Sequence, residues 1–295
     1  MKPAAFRYHR AHDVSDAVGL LGELAAAGED PKLIAGGQSL MPMMNFRLAR
    51  PTALVDLGPL RRDPALNSFS HTDSGLTIGA MVTHRTVEVA ALGPDFAVLS
   101  RAMRWVGHLP IRSRGTVAGS IVHGDATAEW CLLALLLDAV IVAEGPAGRR
   151  EIPAGEMFHG FYSTAVEPDE VVTAVRFTRP APRAALTEFA RRHGDFAIVD
   201  AAVSLDAGPG DRAPLAGGRV VLGGVAPAPV RVPEAESLLT GGVPGPELFA
   251  ACGEAAAAAI DPPDDAAGSG AYRRRLARTL VTKALGQAWE KGATR

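Results

Sequence analysis

The stretch Ala35-Gly36-Gly37-Gln38-Ser39-Leu40-Met41-Pro42 carries the plainest chemistry in this chain. Gly36 and Gly37 have no Cβ, so their N–H groups can approach an anion closely, and Ser39 can cap a following helix or donate its hydroxyl. Alone, two glycines and a serine describe a tight turn. A second stretch of the same kind changes that reading: Arg114-Gly115-Thr116-Val117-Ala118-Gly119-Ser120-Ile121-Val122-His123-Gly124-Asp125. A diphosphate takes donors from more than one direction, and two separated glycine–serine loops can supply them. No G-x-G-x-x-G follows the first strand and no G-x-x-x-x-G-K-[ST] occurs, which disfavours the Rossmann and P-loop readings.

Other catalytic patterns are missing. The sequence has no C-x-x-C, no H-E-x-x-H and no G-x-S-x-G. His123, Asp125 and Glu129 are close in sequence but lack a third convincing metal ligand, so they read as hydrogen-bonding groups around a loop or ligand. Any redox chemistry must then be supplied by a cofactor. Cys131 and Cys252 are the only cysteines, whereas an iron–sulfur cluster takes about four ligands.

The 295 residues carry 30 basic and 32 acidic side chains, a balance that asks for neither nucleic acid nor an anionic membrane. The longest apolar run, Trp130 to Leu137, is too short to span a bilayer. The first residues lack the apolar core of a secretory signal, and two isolated cysteines in apolar contexts suggest reduced thiols. The expectation is a cytoplasmic protein.

Apolar periodicity places a helix from Ser15 to Gly28, a strand at Leu33-Ile34 before the first loop, and a strand over Ala53–Leu57. The loop therefore lies at the carboxyl end of a strand, where α/β sheets bind ligands. From Leu76 the pattern becomes mixed: a strand to Val82, helices from Thr83 to Leu92 and Phe96 to Val106, and the second loop. An apolar helix follows over Ala128–Leu137, then a hairpin around Glu144–Gly148 and a strand to Phe177. Thr178-Arg179-Pro180-Ala181-Pro182-Arg183 marks a boundary. Beyond it, strands at Leu186–Arg191, Ala197–Leu205 and Arg219–Val225 form an antiparallel meander, and the rest is helical.

Together these stretches resemble a known family. Ala35 to Met44 resembles the first flavin-binding motif of the FAD-binding middle subunits of molybdenum hydroxylases, such as carbon monoxide dehydrogenase and xanthine dehydrogenase. Gly115 to Asp125 is similar to the second motif, T-[IV]-G-G-[ND]-[IL]-x-[HT]-[AG]-[DS]-P, and Arg191-Arg192-His193-Gly194-Asp195-Phe196-Ala197 to a third signature. Order and spacing agree along essentially the whole chain. Ala118 stands where the first of two glycines is usual, Ala126 where proline is common, and Glu129 where aspartate is usual. An alanine at 118 fits if its φ is negative and reshapes the loop if φ must be positive.

The resemblance implies an α+β fold: a two-lobed FAD-binding domain followed by a domain with a three-stranded antiparallel sheet and a helical bundle. Its expected boundaries are 1–57, 58–178 and 179–295. It implies FAD as cofactor, with Ala35, Gly36, Gly37, Gln38, Ser39 and Leu40 on one side of the diphosphate and Thr116, Ala118 and Gly119 on the other. Ser120, His123, Asp125 and Glu129 would lie along the ribityl chain, the diphosphate or the ring edge, and Arg192 and Asp195 would approach the isoalloxazine. It also implies two partners, a small subunit with two [2Fe–2S] clusters and a large subunit with the molybdenum cofactor, as a heterotrimer or a dimer of heterotrimers. Two other readings stay open on the residues alone: a self-sufficient flavin oxidase or reductase with its own organic substrate, and a flavin-free scaffold subunit.

Overall fold

The computed structural model describes residues 2–73, 75–208 and 213–293. Strand β1 (Arg7–Arg10), helix α1 (Val14–Ala26), strand β2 (Pro31–Ile34), helix α2 (Leu40–Asn45) and strand β3 (Ala53–Asp56) come first. The three strands form a parallel sheet in the order β1-β3-β2. Asp13 starts α1 by accepting the Asp16 N–H at 2.8 Å, and Gly28, at φ 79°, follows its end. Ala17, Leu21 and Leu24 form its inward face, against Ala53, Val55 and Leu57.

The middle of the chain runs β4 (Phe69–Thr72), β5 (Gly75–Gly79), α3 (His84–Val89), α4 (Gly93–Ala102), α5 (Leu109–Arg112), α6 (Val117–His123) and α7 (Glu129–Leu136). It continues through β6 (Ala139–Gly145), β7 (Gly148–Pro153), β8 (Phe158–Gly160), β9 (Ser163–Thr164) and β10 (Val171–Phe177). Five of these strands form an antiparallel sheet in the order β4-β5-β10-β6-β7. Helix α7 is apolar on every side from Trp130 to Leu136 and buried along that whole length, as an all-round apolar helix must be.

The last part holds β11 (Ala184–Phe189), β12 (Val199–Asp206), β13 (Gly217–Gly223), β14 (Val230–Arg231), α8 (Pro233–Leu239), α9 (Pro246–Ala259) and α10 (Gly270–Ala293). Its antiparallel sheet has four strands where three were expected. The extra one, β14, is two residues long and follows Pro227 and Pro229, so its sequence reads as loop. Helix α10 covers β11 and β12, and the Thr187 hydroxyl donates to the Leu280 carbonyl at 3.0 Å.

Other differences are local. The second glycine stretch, expected as a loop between helices, is itself largely the helix α6. The Thr116 hydroxyl caps it by accepting the Gly119 N–H at 3.1 Å, and Gly124 closes it at φ 66°. Strands β1 and β4 went unread because both are short and mostly exposed, with Arg7, Arg10 and His71 interrupting any apolar alternation.

One apolar core runs from the five-stranded sheet through α7 to Ala202 and Val221 on the last sheet. Arg219 reinforces that seam, donating to both Asp138 oxygens at 2.5 and 2.6 Å. Leu132, on α7, faces Gly223 of β13 and is fully buried. Leu132→Ala is expected to lower stability by about 2–5 kcal/mol through lost burial and the cavity left behind, measured by urea unfolding.

Candidate functional site

The loop Ala35–Ser39 bridges β2 and α2 at the carboxyl end of the parallel sheet. Gly37 sits at φ 71°, which favours glycine, and the Gln38 side-chain amide donates to the Gly36 carbonyl at 3.0 Å. Among the described residues, the N–H groups of Gly36, Gly37, Gln38 and Ser39 donate to no protein acceptor. Ser39 stands at the N-cap position of α2, but its side chain makes no capping bond, contrary to one use expected of it, so its hydroxyl stays open. Leu40 is the first helical residue. Four unpaired N–H groups in a row are free donors of the kind that an anion requires.

The two motifs meet here. A methyl group built on Gly36 would lie 2.2 Å from the Arg114 carbonyl oxygen and 2.7 Å from Gly115 Cα, so only glycine fits. A cleft of about 390 Å³ opens beside this contact, lined by Ala35 to Gln38, Met41, Arg114, Asp56 and Tyr8. Arg61 fixes the same carbonyl, its guanidinium donating to Arg114 O at 3.0 Å.

Behind the contact stands His84. Its backbone N–H donates to Gly115 O at 3.0 Å, and its Nδ1 accepts the Trp130 indole N–H at 3.0 Å. Burial pushes its imidazole down to about 4, with the Arg112 charge adding to the effect, so the ring is neutral at pH 7. Ala118 lies inside α6 with negative φ, its side chain buried, and the methyl group is accommodated without reshaping the backbone. Thr116 and Gly119 bond each other in the cap, so the Gly119 N–H is already engaged. Ser120 and His123 follow on α6, and Asp125 lies past its end. The Tyr162 ring packs on His123 with centroids 4.9 Å apart, and its hydroxyl donates to Asp125 Oδ2 at 3.3 Å.

Glu129 opens α7 at the seam with the last sheet, where other carboxyls gather. Glu188, Asp200 and Gly223 are cross-strand neighbours on β11, β12 and β13. Asp200 is fully buried, neither carboxyl oxygen has a hydrogen-bond partner, and Oδ1 lies over Gly223 beside the Ala126 carbonyl. Burial pushes Glu129 up to about 7 and Glu188 up to about 8, the Asp125 charge adding to the first and the Glu129 charge to the second. Burial, reinforced by the charges of Glu129, Glu188 and Asp125, raises Asp200 well above its ordinary value.

Arg192 and Asp195 are exposed in the β11–β12 connection and do not line the cleft. Their loop rests on α5: Gly194 packs over the His108 ring, and the His108 and His193 rings are 6.0 Å apart. Tyr8, Asp56, Arg114 and His84 were not selected from the sequence. Asp56 carried a readable signal, an acid directly after the apolar run Ala53-Leu54-Val55 at a strand's carboxyl end. Tyr8 and His84 carried none, because the partners that define them are distant in sequence.

Two pH dependences follow. His84 takes up its proton near 6.5 when unfolded but only near 4 when folded. Stability therefore falls as pH drops from 6.5 to about 4, by about 3 kcal/mol in total. His84→Gln, which keeps an acceptor for Trp130, is expected to flatten that limb of a melting-temperature profile. Asp200 has the opposite sign: its folded value is raised, so it costs increasing stability as pH rises above the unfolded value near ~4. Asp200→Asn is expected to melt higher than the parent at pH 8, by a margin that shrinks towards pH 4.

Known proteins resemble the chain along almost its whole length. Residues 4–180 match the family described as FAD binding domain in molybdopterin dehydrogenase, and residues 184–288 the CO dehydrogenase flavoprotein C-terminal domain. The 6-hydroxypseudooxynicotine dehydrogenase complex subunit alpha of Paenarthrobacter nicotinovorans is 38% identical over 294 residues, covering 98% of this chain and 96% of that one. The carbon monoxide dehydrogenase medium chain of Hydrogenophaga pseudoflava is 34% identical over 296 residues, covering 99% and 100%. The crystal structure of quinoline 2-oxidoreductase from Pseudomonas putida 86 superposes with a TM-score of 0.91 at 33% identity, covering 99% of each chain. The chain belongs to the family of FAD-binding medium subunits of molybdenum hydroxylases.

Proposed function

We propose that this chain is the FAD-bearing subunit of a multi-subunit molybdenum hydroxylase, taking electrons from the [2Fe–2S] clusters of a small partner and passing them to an external acceptor. The molybdenum cofactor belongs to a large partner, in a heterotrimer or a dimer of heterotrimers. The observation that carries this reading is the run of unpaired N–H groups that includes Gly36, Gly37 and Gln38, in a cleft that Arg114 also lines. Its dipoles and the arginine suit a diphosphate, and the negative φ of Ala118 leaves the second motif intact.

Ala35 to Leu40 hold the diphosphate on one side, and Arg114 with the α6 segment of Thr116, Ala118 and Gly119 closes the other. Ser120, His123, Asp125 and Glu129 follow the ribityl chain and ring edge, and Arg192 and Asp195 stand nearer the isoalloxazine. Bound FAD supplies a two-electron store that one-electron clusters can fill. The protein's part is to hold that group, exclude water and set the charge around it. Glu129, at about 7, can carry or release a proton there near neutrality. Clusters themselves must come from a partner, because Cys131 and Cys252 are both buried as free thiols.

We assign the FAD-binding lobes to residues 1–57 and 58–178 and the last domain to 179–295. We place the protein in the cytoplasm on the strength of its free, buried cysteines. No helix among the described residues is long and apolar enough to cross a membrane.

Copurified with its two partners, the chain is expected to show flavin absorption near ~450 and ~370 nm that bleaches when the partners' substrate is added. Gly36→Ala, which forces a methyl group onto the Arg114 carbonyl, is expected to weaken FAD binding on the order of tenfold or more. A colourless preparation that takes up no added FAD would overturn this function.

A further inference from the structure

Arg273 lies on α10 and does not line the cleft, yet it is only 4% exposed. A buried guanidinium is costly unless its donors are engaged, and this one spans four acceptor atoms. Its Nη1 donates to the Ile198 carbonyl at 2.5 Å and to the Gly224 carbonyl at 2.7 Å, and its Nη2 donates to the two Asp265 oxygens at 2.7 and 2.6 Å. Ile198 closes the β11–β12 connection, its N–H donating to the Phe189 carbonyl at 2.8 Å, and Gly224 directly follows β13. The guanidinium therefore ties neighbouring ends of two strands to the segment between α9 and α10. A lysine ammonium, a point donor, could not span all four atoms.

Gly224 carries that grip to the end of the second glycine stretch. Its N–H donates to the Ala126 carbonyl at 3.3 Å, and a methyl group built on it would lie 2.4 Å from the Ile198 carbonyl oxygen and 3.3 Å from Thr127 Cγ2. Its φ of 72° and that lack of room both require glycine. Thr127 in turn fixes Asp125: its N–H and its hydroxyl each donate to Asp125 Oδ1 at 2.8 Å, while Oδ2 accepts the Tyr162 hydroxyl at 3.3 Å. An unbroken series of contacts thus runs from Arg273 through Gly224 and Thr127 to the Asp125 carboxylate. We propose that Arg273 is a positioning residue for the flavin site, setting from the last domain the Ala126–Thr127 turn that aims Asp125. It touches no cofactor and acts through other residues. The inference rests on the FAD assignment and adds to it a determinant of cofactor binding that lies outside both glycine stretches.

The test uses the full chain freed of flavin and titrated with FAD by calorimetry, at a temperature at which every variant is folded, with the visible circular dichroism of the bound flavin as a second readout. Arg273→Met removes the grip, Arg273→Lys keeps the charge but reaches fewer acceptors, and Thr127→Val removes one bond to Asp125 at the far end of the series. Arg273→Met is expected to weaken FAD binding on the order of tenfold and to change the dichroism, Arg273→Lys to do so less, and Thr127→Val to reproduce the change in dichroism. In the double variant Arg273→Lys, Thr127→Val the losses in affinity are expected to be less than additive, because both act on Asp125 by one route. Arg273 variants that melt lower but keep the parent's FAD affinity and dichroism would reduce the residue to a structural strut and overturn the inference. Strictly additive losses, or parental dichroism in Thr127→Val, would overturn it as well. Should Arg273→Met not fold, Arg273→Lys and Thr127→Val decide alone. A parent chain that binds no FAD would overturn the inference together with the FAD assignment, whereas the other outcomes leave that assignment standing.

Discussion

A close approach of backbone to backbone builds the cleft. Gly36 and the Arg114 carbonyl are packed so tightly that a single methyl group has no room between them. That contact joins two stretches of chain almost eighty residues apart and turns two weak sequence signals into one wall of a cleft. Everything around it holds the pair in register. The parallel sheet delivers the first loop at its carboxyl edge, Arg61 clamps the Arg114 carbonyl, and His84, neutral and bonded to Trp130, supports Gly115 from behind.

The second constraint is the seam carried by α7. Because that helix is apolar all round, it must be covered on every side, and it draws the five-stranded and four-stranded sheets into one core. Its first turn carries Glu129 near enough to Glu188 and Asp200 for its charge to raise both. Burial there raises Asp200 well above its ordinary value and so disfavours a full set of negative charges at the seam. Arg219 and Asp138 hold the same seam at its other end.

Much of this was legible before any coordinates. The first glycine loop, the all-apolar helix and the strand alternation are local signals, and each is dictated by a backbone or burial requirement that nearby residues express. Ala118 could be assessed only with the structure, because its tolerance turns on a φ angle that side-chain type does not report. Tyr8, His84 and Asp200 escaped notice for another reason: each is defined by a partner far along the chain, namely Asp56, Trp130 and the Glu188–Glu129 pair. The short strands β1, β4 and β14 were hidden because tertiary pairing, and not residue preference, makes them strands.

The absence of slack at Gly36 also limits how such a subunit can diversify. A cleft closed by backbone against backbone tolerates no added bulk, so its loop has little freedom to drift in length or composition. Change in bulk is accommodated instead on exposed connections outside the cleft, such as the one bearing Phe196. A substitution there leaves the backbone contact that closes the cleft unchanged, whereas one at Gly36 cannot.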